Sequence, residues 1–175
     1  MAVFAAIVYI AIKAKGPGIE FLQGTNWIAD IIFGLVIGAV WIVLALFLRG
    51  TFFSAAFSLG VPSTFSLLPS FSFFVVAIFA PIVETLGFEG ALRKLFHSFG
   101  IRPIITTILV AAAFSAFHLF AFTRGSYQSV TSPFIAAFVF SLIAGTIALR
   151  RNSLITPIVF HSIANIFVYF VGLGQ

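Results

Sequence analysis

Hydrophobic side chains fill most of the chain in long runs, and short polar segments that carry the basic residues separate these runs. The runs cover residues 1–12, 26–48, 71–96, 103–122, 133–149 and 153–172. A membrane-spanning helix needs about 20 largely apolar residues, which all but the short first run approach or exceed. Residues 51–70 mix Ser, Gly and Pro with apolar side chains and predict an interfacial or re-entrant segment. The pattern predicts an all-α, polytopic transmembrane bundle of about six spans.

The composition identifies lipid as the main surroundings of the chain. Of 175 residues, 62% are hydrophobic and 7% are charged, whereas a soluble domain carries roughly 25% charged residues. The net charge of +5 comes from basic residues placed singly or in pairs at the ends of apolar runs. This placement sets membrane topology and does not indicate a nucleic-acid partner. The chain has no cysteine, which excludes disulfides, thiolate chemistry and Cys-based metal sites.

The basic residues also predict the orientation, because cytoplasmic loops are enriched in Lys and Arg. With the N-terminus outside, the two outer loops hold Arg49 and Arg124. The cytoplasmic loops then hold Lys13, Lys15, Arg93, Lys94, Arg102, Arg150 and Arg151.

We expect a protein of the cell membrane whose chain is divided into two parts. Residues 1–70 form one or two spans and the interfacial segment, and residues 71–175 form a core of four helices.

Polar side chains inside the apolar runs are the candidates for function, because they cost free energy in lipid unless they have partners. The candidates are Glu84, His118, His161 and Asn165. Pro81 lies less than one turn before Glu84, cannot donate to the carbonyl of Ala77, and predicts a kink there. His161 and Asn165 are four residues apart and share one helix face.

Each of these residues also has a structural interpretation. A buried Glu can bond a neighbouring helix, a His can be a packing residue, and an Asn often joins two helices. Asp30 and Glu20 are assigned to this structural class, and His97 is assigned to the membrane interface. One acid, two imidazoles and one amide on three separate runs instead favour a shared polar site.

Three motifs at these residues resemble those of the CAAX protease and bacteriocin-processing family of intramembrane proteases, also called CPBP or Abi. Residues 80–84 (APIVE) resemble the Ala-Pro lead and first glutamate of its Glu-Glu-x-x-x-Arg motif. Residues 114–118 (FSAFH) match its Phe-x-x-x-His motif, and residues 161–165 (HSIAN) match its His-x-x-x-Asn motif. The resemblance covers about residues 70–170 and implies a CAAX-protease-like helical core.

Two positions depart from the family pattern. Thr85 stands where the family has its second glutamate, and Glu89 stands where it has arginine. The usual pair, four residues apart on one face, is therefore missing. We expect Glu89 and Arg93, also four residues apart, to replace it one turn nearer the cytoplasm. Pro81, Thr85, Glu89 and Arg93 are thus the predicted structural support of the site.

The resemblance implies peptide hydrolysis by an activated water. Glu84 would act as the general base, His118 would hold the same water, and His161 with Asn165 would donate hydrogen bonds to the oxyanion. The family is often labelled a metalloprotease, and Glu84, His118 and His161 could bind zinc with one open position. The chain has no His-Glu-x-x-His helix, so a mechanism without a cofactor is favoured.

Three functions follow from this site. The first is an intramembrane endopeptidase that cleaves a CAAX-type tail or another membrane-associated peptide. The second, prompted by the departures at Thr85 and Glu89, is an impaired relative that acts as a peptide-binding scaffold or bacteriocin immunity protein. The third is a small transporter with a proton relay, although the chain shows no internal repeat. Along its run, His118 lies further from the cytoplasmic end than Glu84 and His161 do, so convergence of the three is the decisive expectation.

Overall fold

The computed structural model describes residues 26–47, 73–122 and 131–173, and within these ranges the chain is helical without strands. Five helices are present in them: α1 (Trp27–Phe47), α2 (Val75–Ser98), α3 (Pro103–Phe122), α4 (Thr131–Arg151) and α5 (Ile155–Leu173). Their bounds lie close to those of the apolar runs. The predicted first run and the interfacial segment at 51–70 lie outside the described residues.

The length and apolar surface of the helices fit a bilayer. By length and composition α1, α2 and residues Phe134–Arg151 of α4 can each cross a membrane, and α3 and α5 contain shorter apolar stretches. Large hydrophobic side chains are exposed along α1, with Val43 67% and Val40 62% accessible. Such a surface is stable in hydrocarbon and unstable in water. The described part of the chain is thus all-helical, the chain is an integral membrane protein, and the count of six spans stays a prediction.

The helices form two packed pairs joined by α2. α1 packs along α5, α3 packs along α4, and α2 contacts both pairs. Apolar side chains from α2, α3, α4 and α5 meet in one core. They are Phe88, Leu92, Val110, Phe114, Phe140, Ala144, Ile147, Phe160 and Ala164.

Two glycines let α1 approach α5 closely. A Cβ added at Gly34 would lie 2.7 Å from Val159 Cβ and 2.8 Å from the Thr156 carbonyl oxygen. A Cβ at Gly38 would lie 2.6 Å from Ile163 Cγ2. The Gly-x-x-x-Gly spacing places both on one face, where small residues allow transmembrane helices to pack closely.

The ends of α2, α3, α4 and α5 meet where their short connections lie, and we call this the basic end because it carries Lys94, Arg102, Arg150 and Arg151. α1 is fixed there by Asp30, which is fully buried. Its Oδ1 accepts hydrogen bonds from Arg151 Nε at 2.8 Å and Nη2 at 2.6 Å. Thr156 Oγ1 donates to the Asp30 carbonyl oxygen at 3.1 Å. Asp30 therefore has the structural role that the sequence predicted.

The connection from α4 to α5 explains how the three candidate site residues reach the same depth. Ser153 and Leu154 are buried, and a Cβ at Gly90 would lie 3.2 Å from Leu154 Cδ1. α5 therefore begins beside Gly90, roughly 12 Å inside the end of α2 at a rise of about 1.5 Å per residue. Glu84 lies six residues from Gly90, and His161 lies six residues from the start of α5.

The close contact between α1 and α5 predicts the effect of added bulk. Gly34→Val should lower the free energy of unfolding by about 1–3 kcal/mol, because its side chain would overlap Val159 and the Thr156 carbonyl. Ala39→Val, on the exposed side of α1, is the matched control and should leave stability unchanged. Thermal unfolding of the purified protein in detergent measures both, and equal melting temperatures for the two variants would contradict this packing.

Candidate active site

Glu84 lies in a single α-helical segment between two stretches of π-helix. In α2, Val75–Phe79 and Leu86–Leu92 are π-helical, and Ala80–Thr85 between them is α-helical. π-turns widen a helix and recur at functional sites. The side chains of α2 therefore change direction on both sides of Glu84.

The first π-turn is completed by a side chain from α5. The amide of Ala80 bonds the carbonyl of Val75, five residues back. In this register the next donor would be Pro81, which has no N–H, so the carbonyl of Val76 needs another partner. Asn165 Nδ2 donates to it at 2.9 Å. The sequence predicted that Pro81 would free the carbonyl of Ala77. The carbonyl that Asn165 bonds is that of Val76, one residue earlier, which is where the π register places the missing Pro81 donor.

Glu84 faces two imidazoles from two other helices. Its Oε2 lies 3.7 Å from His118 Nε2 on α3 and 3.7 Å from His161 Nε2 on α5. The Glu84 and His118 side chains are each 21% exposed, whereas that of His161 is 7% exposed. The structure thus brings three of the four predicted catalytic residues to one point. Asn165 lies one turn beyond His161, and its side chain donates a hydrogen bond to the Val76 carbonyl of α2.

His118 presents a defined nitrogen to Glu84. Its Nδ1 lies 2.8 Å from the carbonyl oxygen of Phe114. A carbonyl accepts hydrogen bonds and does not donate, so Nδ1 carries the proton and the Nε2 of the neutral ring is an acceptor. The Glu84 carboxylate is also an acceptor, and 3.7 Å is too long for a direct hydrogen bond. A donor between the two atoms, such as water, fits this geometry.

His161 is held by aromatic rings beside a small cavity. Its ring centroid lies 4.9 Å from that of Phe140 and 5.8 Å from that of Phe114. The cavity next to it measures about 10 Å³, which is about the space of one water. Glu84 Oε2 is buried and has no hydrogen-bond partner among the described residues. The cavity is lined by Glu84, Thr85, Phe88, Glu89, Phe114, Phe140, Ser141, Ala144 and His161.

Glu89 and Arg93 form the ion pair that their spacing suggested. Arg93 Nη2 donates to Glu89 Oε2 at 2.5 Å. Arg93 Nη1 donates to Thr107 Oγ1 at 2.9 Å, and Ser141 Oγ donates to Glu89 Oε1 at 3.2 Å. The pair therefore joins α2 to both α3 and α4.

The assignment of Arg93 to a cytoplasmic loop is wrong. Arg93 lies within α2, and its side chain is 1% exposed. A guanidinium can be buried at this depth because Glu89 neutralises its charge and Thr107 Oγ1 accepts a hydrogen bond from one of its N–H groups. Glu89 is equally buried, with its side chain 4% exposed.

Sequence reasoning did not identify the residues that receive this ion pair. A Cβ at Gly145 would lie 2.5 Å from Arg93 Nη2 and 2.8 Å from Glu89 Oε2. Ser141 and Gly145 are four residues apart on α4, a small-x-x-x-small spacing that often marks close contact between membrane helices. This spacing was the available signal. Thr107 gave none, because a threonine near a helix start is common.

The structure does not arrange Glu84, His118 and His161 as a cluster of metal ligands. Within the described ranges, no cluster of three or more His, Cys, Asp or Glu side chains is arranged to hold a metal ion. Zinc ligands place their donor atoms about 2.0–2.3 Å from the ion. Here His118 and His161 both approach the same carboxylate oxygen of Glu84, each at 3.7 Å.

A comparison with known families agrees with this arrangement of motifs. The profile of the family described as type II CAAX prenyl endopeptidase Rce1-like matches residues 65–167, which is more than half of the chain. The chain belongs to the Rce1-like family. This membership agrees with the resemblance to CPBP intramembrane proteases. No curated protein and no solved structure matches the chain.

The Rce1-like match places all four candidate residues inside the family region. It includes α2, α3, α4 and most of α5, and α1 lies before it. Its description names prenyl endopeptidases, so membership supports protease activity in a membrane.

The buried ion pair predicts a large and specific loss of stability. Arg93→Met should cost about 3–5 kcal/mol of unfolding free energy, because it leaves the Glu89 charge buried without its cation. Lys94→Met, the neighbouring position, which has no such partner in the described residues, should cost far less. Adding Glu89→Leu to Arg93→Met should recover most of the loss. Chemical unfolding in detergent tests this, and equal losses for the two single variants would contradict the prediction.

The bond from Asn165 to Val76 predicts an energetic coupling to Pro81. Asn165→Ala should cost about 1–3 kcal/mol, because it leaves a carbonyl unsatisfied. Pro81→Ala restores an N–H that can bond this carbonyl, so Asn165→Ala should cost less in that background. A double-mutant cycle on unfolding free energies measures the coupling. Strictly additive losses would show that Asn165 does not replace the missing donor.

Proposed function

We propose that the chain is an intramembrane endopeptidase that hydrolyses a CAAX-type tail or another membrane-associated peptide. The observation that carries this proposal is the position of Glu84 Oε2, 3.7 Å from the Nε2 atoms of both His118 and His161. No ion pair of Glu84 with Lys or Arg is present in the described part of the chain. The carboxylate therefore meets two imidazoles and is not neutralised by a cation.

The attacking water binds between Glu84 and His118. Both facing atoms accept hydrogen bonds, so a water can donate one hydrogen to each and present its oxygen lone pairs to a peptide carbonyl. Glu84 and His118 are also more exposed than His161, so a substrate would approach from their side. As the new C–O bond forms, Glu84 takes a proton from the water. General-base catalysis of this kind contributes about 100- to 10,000-fold.

The tetrahedral intermediate then needs donors for its oxyanion. His161 Nε2, when protonated, is one donor, and the second N–H of Asn165 Nδ2 is the other, since the first is bonded to Val76. The C–N bond breaks as the proton held by Glu84 passes to the leaving amine. This step returns Glu84 to the carboxylate and releases a carboxylic acid, which keeps the second hydrogen of the water, and an amine.

The chemistry is proposed to be independent of a metal ion. Glu84 supplies the proton acceptor, and His161 with Asn165 supplies the charge stabilisation that a Lewis acid would otherwise provide. The three potential ligands do not group as a metal site. A glutamate-type mechanism therefore accounts for hydrolysis with residues of this chain.

The formed ion pair favours an enzyme over a non-catalytic scaffold. The scaffold interpretation rested on the departures at Thr85 and Glu89, which remove the family pair. Here Glu89 and Arg93 are bonded to each other and to α3 and α4. This network supplies the rigid support that the missing pair would have given, so Glu84 keeps a fixed position.

The basic end is proposed to face the cytoplasm, with the N-terminus of the chain outside. The positive-inside rule supports this, since Lys94, Arg102, Arg150 and Arg151 share that end. Arg93, which is buried and paired, no longer contributes to this count. Without Arg93, the basic end still carries more Lys and Arg residues than the opposite end is predicted to carry.

Substitution of the two histidines of the site should lower the cleavage rate, whereas substitution of the third histidine, His97, should not. In proteoliposomes, Glu84→Gln should lower the cleavage rate of a prenylated peptide at least about 100-fold, because it removes the base. His118→Ala and His161→Ala should each lower it by about 100- to 1000-fold. His97→Ala is the matched control, because His97 lies in the last turn of α2 near the basic end, and it should keep wild-type activity.

Two controls, the melting temperatures of the variants and treatment with a zinc chelator, show whether a loss of cleavage reflects the proposed chemistry. All variants should keep the melting temperature of the wild type within a few degrees, so that loss of activity reflects chemistry. Treatment with a zinc chelator should leave the wild-type rate unchanged under the proposed mechanism. Equal cleavage by Glu84→Gln and wild type would overturn the assignment of the base, and inhibition by the chelator would overturn metal independence.

A further inference from the structure

A groove separates α1 from α4 on the side of the bundle away from the active site. Both helices pack on α5, and their described contacts with each other include two that join α1 to α4 across the groove. One is the Asp30–Arg151 ion pair, and the other is an edge-to-face contact of Trp41 with Phe140, whose centroids are 5.6 Å apart. The groove between these contacts has a volume of about 580 Å³. Its lining is Phe33, Ile37, Val139, Leu142, Ile143, Thr146, Ile147, Arg150 and Arg151.

The length of the groove matches one leaflet of a bilayer. Its lining on α4 extends from Val139 to Arg150, a rise of roughly 16 Å along the helix. The hydrocarbon core of a bilayer is about 30 Å thick, so one leaflet contributes about half of that. Phe33 and Val139 remain 42% and 39% exposed, which shows that other described helices do not cover the groove. A single acyl chain would extend from Arg150 to Val139.

The charge at the mouth of the groove selects an anion. Asp30 neutralises Arg151, whose guanidinium also lies 5.5 Å from the centroid of the Phe33 ring. These contacts hold Arg151 in place while its side chain stays 35% exposed. Arg150 is exposed and adds a positive charge, and none of the described residues that line the groove is acidic. Guanidinium groups bind phosphate through charge-assisted hydrogen bonds.

We propose that this groove binds an anionic phospholipid of the leaflet that faces the basic end. Its acyl chain lies along the apolar lining between α1 and α4, and its phosphate contacts Arg150 and the exposed edge of Arg151. Basic pockets between transmembrane helices recognise anionic headgroups in this way. The lipid contacts the outer face of α4, whereas Ser141 and Gly145 on the inner face contact Glu89 and Arg93. The site is therefore separate from the proposed peptidase chemistry.

Retention of lipids by the purified chain tests the proposal. The full chain is delipidated in neutral detergent, mixed with equal amounts of phosphatidylglycerol and phosphatidylcholine that carry the same acyl chains, and examined by native mass spectrometry. The wild type should retain phosphatidylglycerol about fivefold more than phosphatidylcholine, and Arg150→Gln should remove most of this preference. Arg102→Gln, an exposed arginine at the same end but outside the groove, should keep it.

A second pair of variants tests the acyl-chain position. Val139→Trp fills the far end of the groove and should lower the retention of both lipids, whereas Leu149→Trp, exposed on α4 outside the groove, should not. Equal retention of the two lipids by the wild type would overturn the proposal. So would an equal loss of preference with Arg102→Gln, or wild-type retention with Val139→Trp, since either result places the lipid elsewhere. None of these readouts depends on peptidase activity.

Discussion

A charge inside an apolar bundle must be neutralised or given polar partners, and α2 carries two carboxylates that meet this requirement in different ways. Glu89 is neutralised by Arg93 and bonded by Ser141, which ties α2 to α4. Glu84, five residues away, faces the imidazoles of His118 and His161 instead. The first carboxylate is thus a structural anchor and the second is available for chemistry. The position of the second depends on the anchor, because both lie on one helix.

The local geometry of α2 is equally important for the site. Its π-turns widen the helix on both sides of Glu84, and the first is completed by Asn165 where Pro81 lacks an N–H. Asn165 lies one turn from His161 on α5, so this bond also sets the position of His161 relative to Glu84. Buried Leu154 starts α5 deep in the bundle, beside Gly90. Local backbone chemistry therefore determines which side chains meet.

The sequence predicted the five helices of the described ranges and the meeting of Glu84, His118 and His161, because apolar length and polar side chains at depth are direct physical signals. It also predicted the pairing of Glu89 with Arg93 from their spacing. It placed Arg93 in a loop, because a lone cation near a run end resembles a topology signal until its partners are known. It did not predict the π register at Pro81, since a change from four- to five-residue bonding depends on the tertiary bond from Asn165.

Side chains from α2, α3 and α5 meet at Glu84, and cross-linking tests this convergence without a substrate. The chain has no native cysteine, so paired substitutions report single distances. A short bifunctional thiol reagent should link Glu84→Cys with His118→Cys and with His161→Cys. It should not link His97→Cys with His161→Cys. Absence of the first two links, while each single cysteine still reacts with a monofunctional reagent, would contradict the account.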